Sequence, residues 1–187
     1  MTYTTVGTCP TSSTISIDIT ASPDATFSYS ASPYCQIGTA TITFGPGASG
    51  GVFSEATGDV SINTSTGEVD LSSSIPGIYT VGNDIAASGG CAAANATTTI
   101  EILAADNPDY SYSSVAECQS GTDISATITG TAGGFSFAPA GLSIDPTSGL
   151  IDVSASADGV YDVTYTTTGA CPADSTISIT ITADDDA

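Results

Sequence analysis

The chain has 187 residues, with 20 acidic residues and no Lys, Arg or His, so its formal net charge is -20. Without basic side chains it cannot neutralise phosphates, which excludes nucleic acid and direct contact with an anionic membrane as partners. Without His or Lys it lacks the usual neutral-pH base, the Ser-His and Cys-His nucleophile pairs and the Schiff-base amine. We therefore expect the chain not to be an enzyme.

The hydrophobic content indicates a folded β protein rather than an acidic disordered segment. Hydrophobic residues make up 40% of the chain, and Thr, Ile and Val alternate with polar residues, as they do in half-buried strands. No apolar run reaches the ~18 residues of a membrane-spanning helix. Self-comparison then divides the chain into four segments: 1–21, 24–103, 106–182 and 183–187.

The first segment, residues 1–21, matches the end of the third segment. Tyr3 to Pro10 mirrors Tyr165 to Pro172, and both stretches lead into Ser-Thr-Ile-Ser-Ile. We therefore expect residues 1–21 to form the last hairpin of a preceding repeat, and the chain to be part of a longer array. Segments 24–103 and 106–182 are predicted to be two complete repeats joined end to end. Residues 183–187 are predicted to be an acidic tail or a linker to the next repeat.

Each complete repeat contains seven predicted strands, A to G. In the second repeat they are A (Tyr110–Ser113), B (Ile124–Thr129), C (Gly134–Phe137), D (Leu142–Ile144), E (Leu150–Val153), F (Val160–Thr166) and G (Thr176–Thr182). Seven short strands in about 80 residues predict an Ig-like β-sandwich. The predicted fold class is thus all-β, with tandem Ig-like seven-stranded β-sandwich repeats. The pattern leaves Ig-like, cadherin-like and fibronectin-like strand orders open.

Four residues are expected to define this fold. Tyr79 and Tyr161 each follow a Gly-x pair at the start of strand F, where Ig-like domains carry the tyrosine corner. Gly67 and Gly149 end the tight turn between strands D and E, where glycine supplies the left-handed conformation.

Several motifs together resemble the Ig-like tandem repeats of giant Bacteroidetes cell-surface adhesins of the gliding-motility type. They are Phe-Ser-Tyr-Ser at 27–30, Ser-Pro-Tyr-Cys at 32–35, Gly-Ile-Tyr-Thr-Val at 77–81, Ala-Ser-Gly-Gly-Cys at 87–91 and Gly-Leu-Ser-Ile-Asp at 141–145 with its Thr-Ser-Gly turn. The resemblance covers the whole chain. It implies an extracellular protein, displayed as a long filament on the bacterial cell surface. No catalytic residue of the family repeat maps onto this sequence.

The five cysteines are expected to be oxidised, because exported proteins commonly form disulfides. Pairing within repeats would join Cys35 to Cys91 and Cys118 to Cys171. However, Cys35 and Cys118 lie between strands A and B, and the other two lie between F and G. These connections sit at opposite ends of a sandwich, ~20 Å apart, whereas a disulfide needs Cα atoms within ~7 Å.

An inter-repeat disulfide between Cys35 and Cys171 is therefore predicted, because the A–B connection of one repeat would face the F–G loop of the next. Cys9, Cys91 and Cys118 would then pair with residues outside the chain. Pairing within repeats remains the alternative.

Calcium is the only cofactor that the sequence raises as an alternative. Glu101, Asp106 and Asp109 supply carboxylates at the junction of the two repeats, where Ca²⁺ sites form in some tandem domains. The default interpretation is solvated surface charge, with no metal or other cofactor.

The leading functional hypothesis is a structural stalk or filament segment of a secreted bacterial surface adhesin, presenting a distal binding region. Its expected partners are neighbouring repeats and an unidentified surface or glycan ligand. Two alternatives remain: a carbohydrate- or surface-binding module, with Tyr34 as its best candidate contact, and an accessory domain of a secreted hydrolase.

Overall fold

The computed structural model describes residues 1–184, and strands are the only regular secondary structure in that range. In chain order the strands are β1 (Thr2–Thr4), β2 (Ser12–Thr14), β3 (Phe27–Tyr29), β4 (Tyr34–Cys35), β5 (Thr39–Ala40), β6 (Ile42–Phe44), β7 (Val52–Glu55), β8 (Ser61–Ile62), β9 (Val69–Asp70), β10 (Gly77–Ile85), β11 (Ala94–Leu103), β12 (Tyr110–Tyr112), β13 (Ala116–Cys118), β14 (Ala126–Ile128), β15 (Gly133–Ala138), β16 (Gly159–Thr167) and β17 (Asp174–Thr182).

The chain divides into two compact units that are discontinuous in sequence. Unit 1 comprises Met1–Ser30, Thr39–Asp70 and Tyr79–Ile100. Unit 2 comprises Ala31–Gly38, Leu71–Ile78 and the described residues from Glu101 onward. These units do not follow the repeat boundaries, which stay a prediction. Most of the predicted tail lies outside the described residues, because the description ends at Asp184.

In unit 2 the strands form an Ig-like sandwich. One sheet has the order β13-β17-β16-β15, and β12 pairs with β14 in the other. Ile151 bridges both Ile124 and Ile144, so the predicted strand E lies between B and D. This is the division of an Ig-like fold into A-B-E-D and C-F-G sheets. The predicted all-β Ig-like fold is confirmed.

The core of unit 2 lies between these sheets and follows the period-2 alternation of the sequence. Tyr161, Val163 and Tyr165 of β16 are buried, and Ile179 and Ile181 of β17 are buried beside them. Phe135 of β15 belongs to the same sheet, and the other sheet and its connections cover this face with buried Tyr110, Ile124, Leu142, Ile151 and Val153.

Unit 1 uses the same kinds of strand pair. β3 pairs with β6, β9 lies between β5 and β8, and β10 pairs with β7. Buried Asn83 of β10 binds the adjacent loops through both ends of its amide. Its Nδ2 donates to the carbonyls of Ala25 and Ser49 at 2.9 and 3.0 Å, and its Oδ1 accepts from the Gly51 amide at 2.7 Å. A buried amide that satisfies three hydrogen bonds avoids the cost of an unpaired polar group.

Two details differ from the predicted strands. In the second repeat, D and E form isolated bridges rather than strands, because they exchange few hydrogen bonds around the tight turn between them. In addition, the A–B connection contains a short strand that the sequence did not predict. β13 pairs in parallel with β17, and β4 pairs in parallel with Ile102 and Leu103 of β11. Two or three residues are too few for an alternating pattern to reveal a strand.

The four fold-defining residues lie at close-packed positions. The hydroxyl of Tyr161 donates to the carbonyl of Ala157 at 2.9 Å, which is the hydrogen bond of a tyrosine corner. Tyr79 is buried at the corresponding position of β10. Gly67 and Gly149 have φ angles of 73° and 74°, in the left-handed region that favours glycine.

Equivalent tyrosines in the two repeats differ in their hydroxyl contacts, and this predicts different effects of removing the hydroxyl. Tyr29 donates to the carbonyl of Gly67 at 2.9 Å. The buried hydroxyl of Tyr112 has no hydrogen-bond partner among the described residues, and burial raises its pKa. We expect Tyr29→Phe to cost about 1 kcal/mol and Tyr112→Phe to be neutral or stabilising. Urea unfolding of both variants tests this, and equal losses would contradict it.

The turn that ends at Gly149 contains Asp145, whose titration is expected to make stability dependent on pH. Hydrogen bonds from the backbone amides of Ser148 and Thr147 lower the pKa of Asp145. A depressed folded-state pKa stabilises the fold above the unfolded pKa, and this contribution is lost as the pH falls through the folded pKa. Asn63 makes the corresponding turn in the first repeat without a titratable group, through its Oδ1.

We therefore expect wild type to lose stability relative to Asp145→Asn on acidification, because the variant keeps the acceptor but cannot titrate. The reciprocal variant Asn63→Asp should gain the same acid sensitivity. Urea unfolding from about pH 7 to about pH 2 measures both differences. A wild-type-to-variant difference that stays constant across this range would refute the expectation.

Candidate functional site

A disulfide in unit 2 joins the two sequence repeats. Cys35 of β4 is bonded to Cys171, with an S–S distance of 2.13 Å and a Cα–Cα distance of 5.4 Å. Cys171 lies in the loop between β16 and β17 and is buried. The bonded residues are 136 positions apart in the chain. The structure therefore joins the same pair that strand topology favours, and it does so by a long-range covalent link.

Parallel strand pairing and a glutamine position Cys35. Cys35 lies opposite Leu103 in the β4–β11 pair, and the amide of Gln36 donates to the Leu103 carbonyl at 2.9 Å. The side chain of Gln36 reaches further, and its Nε2 donates to the Ser74 carbonyl at 2.8 Å. Gln119 makes the corresponding bond to Ser156 at 2.7 Å beside Cys118. In each repeat, the short strand that carries the cysteine is therefore held in place by the glutamine that follows it.

A threonine and an aspartate hold the loop that carries Cys171. The backbone amide of Thr167 donates to the Ala173 carbonyl, and its Oγ1 accepts from the Ala173 amide, both at 2.9 Å. The same Oγ1 donates to Oδ2 of Asp106 at 2.9 Å, and the Asp106 amide donates to the Cys171 carbonyl at 2.9 Å. A Cβ at Gly169 would overlap the Asp106 carboxylate, so a larger residue there would have to displace this side chain.

The other three cysteines are free thiols in the structure. Cys9 and Cys118 are exposed, whereas Cys91 is half-buried. The Sγ of Cys91 lies 3.6 Å from the carbonyl oxygen of Ala21 and 3.9 Å from that of Thr20. Bonds from these three cysteines to residues outside the chain therefore remain a proposal.

The three calcium candidates do not come together as ligands. Asp106 binds Thr167 through its carboxylate, as described above. The backbone carbonyl of Asp109 accepts from Thr129 and Gly130, and the backbone amide of Glu101 donates to Oγ of Ser32. Within residues 1–184, no group of three or more His, Cys, Asp or Glu could hold a metal ion. Of these three carboxylates, that of Asp106 is hydrogen-bonded, and the calcium alternative stays a prediction.

Tyr34, the candidate sugar contact, is only partly exposed. It lies in β4, is half-buried, and its hydroxyl accepts a hydrogen bond from the Ala31 amide at 2.9 Å. The ring is therefore less exposed than expected, and a role of Tyr34 in sugar binding stays a prediction.

Thr167 and Asp106 hold the Cys171 loop, and neither role is predicted from the sequence. The recurrence of a threonine at the equivalent position, Thr5, is a sequence signal for the role of Thr167, because both residues precede a Gly and a Cys.

In residues 1–184 no helix exists that is long and apolar enough to cross a membrane.

No protein-family model and no curated protein matches the chain. Solved structures that resemble it are Ig-like and cadherin-type extracellular domains and a surface polysaccharide-binding protein. The mouse cadherin-23 fragment EC22-24 is 16% identical, with 98% of this chain and 73% of that chain covered and a TM-score of 0.35. The protocadherin gammaB7 fragment EC3-6 is 15% identical, with 96% and 56% covered and a TM-score of 0.40.

A SusE-like surface-located polysaccharide binding protein from the Bacteroides thetaiotaomicron heparin utilisation locus is 14% identical to the chain. The aligned region covers 84% of this chain and 34% of that chain, with a TM-score of 0.36. The chain thus spans from about one third to about three quarters of the length of these three structures.

Proposed function

We propose that the chain is a load-bearing stalk segment of a secreted bacterial surface adhesin. In this segment each Ig-like repeat is a spacer, and a disulfide, here called the staple, links it to the next repeat. The Cys35–Cys171 disulfide carries this proposal, because it links two sequence repeats covalently. Neighbouring repeats are then the partners of the chain, and the ligand-binding region lies elsewhere in the adhesin. The resemblance to Bacteroidetes adhesin repeats supports the same role.

The staple suits a segment that transmits force. A load applied to the chain ends passes through the disulfide and bypasses the 136-residue stretch between the two cysteines. That stretch includes the buried strands β10, β11 and β16, so most of both hydrophobic cores is shielded from extension. A stalk stapled in this way keeps its length even if a repeat opens transiently.

An extracellular location is part of the proposal. Structural disulfides persist in oxidising compartments and are rare in the cytosol of most organisms. A strongly acidic surface keeps such repeats apart from copies of themselves, which favours an array over aggregation. The net charge of -20 supports this.

Single-molecule pulling from both termini tests the stalk function. We expect the oxidised chain to release little length and reduction to add roughly 480 Å of contour, because each of the 136 shielded residues contributes about 3.5 Å when extended. Cys91→Ser, which leaves the staple intact, should behave like wild type. Full extension of the oxidised chain would contradict the proposal, and specific binding on a glycan array would instead favour a carbohydrate-binding module.

A further inference from the structure

The N-terminal hairpin copies the geometry of the β16–β17 hairpin. Tyr3 pairs with Ser13 in β1–β2, just as Tyr165 pairs with Ser175 in β16–β17. Thr5 bonds Thr11 through its backbone and hydroxyl, as Thr167 bonds Ala173. The two hairpins therefore have the same register, the same threonine hydrogen bonds across the turn and the same side-chain alternation.

The inner faces of the two hairpins differ completely in exposure. Tyr3 and Ile17 are 72% and 61% exposed, whereas their equivalents Tyr165 and Ile179 are fully buried. In unit 2, this face is covered by the aromatic and aliphatic side chains of the preceding strands of the repeat: Tyr110, Ile124, Phe135 and Ile151. Within unit 1, the described residues place no such cover on the N-terminal hairpin. The structure thus contains both an open apolar face and an example of what closes it.

The free thiol of Cys91 marks the edge of this open face. Cys35 lies opposite Leu103, and Cys118 lies opposite Thr182, at the end of the last strand of each repeat. Thr20 is the equivalent position in the N-terminal hairpin, and the Cys91 sulfur lies against its carbonyl and that of Ala21. A strand seated on this edge like β4 or β13 would bring its cysteine to Cys91.

The second repeat shows that this position forms disulfides. Cys171 occupies the place in its repeat that Cys91 occupies in the first, and Cys171 is bonded to the cysteine of β4. Residues 16–22 are exposed and have no assigned secondary structure, so the edge is accessible. The open apolar face, the free edge and the thiol all belong to unit 1.

We propose that the N-terminal hairpin and Cys91 form one docking site for an Ig-like half-repeat that lacks its own last hairpin and carries a cysteine in its second strand. The occupant covers Tyr3 and Ile17 with apolar side chains and pairs in parallel near Thr20. The inference rests on the proposed staple function, because it places a second staple of the same kind at Cys91. Residues 106–158 of this chain have the required chemistry, with Cys118 as the thiol.

The covalent step is thiol–disulfide exchange. The Cys91 thiol loses its proton to solvent, and the thiolate attacks the Cys118 sulfur of an occupant that is already a mixed disulfide. The Cys91–Cys118 bond forms, the bond to the small thiol breaks, and that thiol leaves as thiolate. The mixed disulfide supplies the oxidising equivalents, so no further oxidant is needed.

The test uses the intact chain, with Cys35–Cys171 oxidised, and a 106–158 fragment whose Cys118 carries 2-nitro-5-thiobenzoate. We expect Cys91 to react at least about tenfold faster than Cys9 or the chain's own Cys118, because docking raises the effective concentration at one thiol. Coloured thiolate release gives the rate, and non-reducing peptide mapping gives the site. Free dithiobis(nitrobenzoate) gives the intrinsic reactivity of each thiol for normalisation.

Two variants of the chain separate docking from simple thiol reactivity. Cys91→Ser should remove the crosslink, and Ile17→Asp should reduce the rate at Cys91 to that of Cys9, because it places a charge on the apolar face. The exposed position of Ile17 keeps the rest of the chain folded. Equal normalised rates at all three thiols, or full preference retained in Ile17→Asp, would overturn the proposal.

A nine-residue peptide, Ser113–Gly121 with the same activated Cys118, provides a second probe that needs no folding. It tests the strand edge and the thiol without the apolar cover, and a smaller preference for Cys91 is expected. Absence of preference with both probes also overturns the inference. The Cys35–Cys171 bond remains intact in every sample, so this failure is distinguishable from failure of the stalk function in the pulling experiment.

Discussion

Replacing both Cys35 and Cys171 by Ser should lower the free energy of unfolding by about 5 kcal/mol in the chain-entropy account of disulfides. The large value follows from the 136-residue separation, because a longer closed loop restricts the unfolded chain more strongly. Urea unfolding of the oxidised wild type and of the double variant measures the difference. Wild type in reductant should lose the same amount.

Three controls assign this loss to the bond rather than to the side chains. Cys9→Ser, Cys91→Ser and Cys118→Ser should each leave stability within about 0.5 kcal/mol of wild type, as expected for exposed or half-buried positions without a bond. Cys35→Ser alone and Cys171→Ser alone should each cost as much as the double variant, because either one removes the bond. Additive losses from the two single variants would show that packing, and not the disulfide, is responsible.

Gly149→Ala should lower stability by about 2–5 kcal/mol. Its φ angle is 74°, where an L side chain costs about 1–2 kcal/mol. Its Cβ would also lie 2.6 Å from the ring of buried Phe135, and such overpacking costs about 1–3 kcal/mol more. Urea unfolding measures the sum, and Gly67→Ala should behave alike because its Cβ would meet Phe53 at 2.8 Å.

Gly58 separates the two causes. Its φ angle is 81°, but a Cβ there would meet nothing within 4 Å. Gly58→Ala should therefore cost only the backbone contribution of about 1–2 kcal/mol. If Gly58→Ala and Gly149→Ala lose the same stability, collision with the aromatic ring is not a cause and the packing argument fails.

Local residue patterns determined much of the fold. The hairpins β1–β2 and β16–β17 have the same register, although one is exposed and the other buried. The hydrogen bonds of Thr5 and Thr167 across their turns act within seven residues of chain, so they do not depend on the surroundings. Period-2 alternation likewise identified the buried faces of β16 and β17, and the turn glycines Gly67 and Gly149 followed from the tight turn between strands D and E. The strand alternation and the turn glycines need no distant partner, so the sequence alone predicts them.

Only the tertiary structure decided which features became buried or bonded. Ile17 and Ile179 belong to the same motif, yet one is exposed and the other buried, because burial depends on whether the opposite sheet is present. The strands β4 and β13 are too short for any sequence period, and parallel pairing with a strand more than sixty residues away creates them. The bond of Asp106 to Thr167 has the same origin. Contacts between residues far apart in the chain depend on how the sheets pack, which no local pattern encodes.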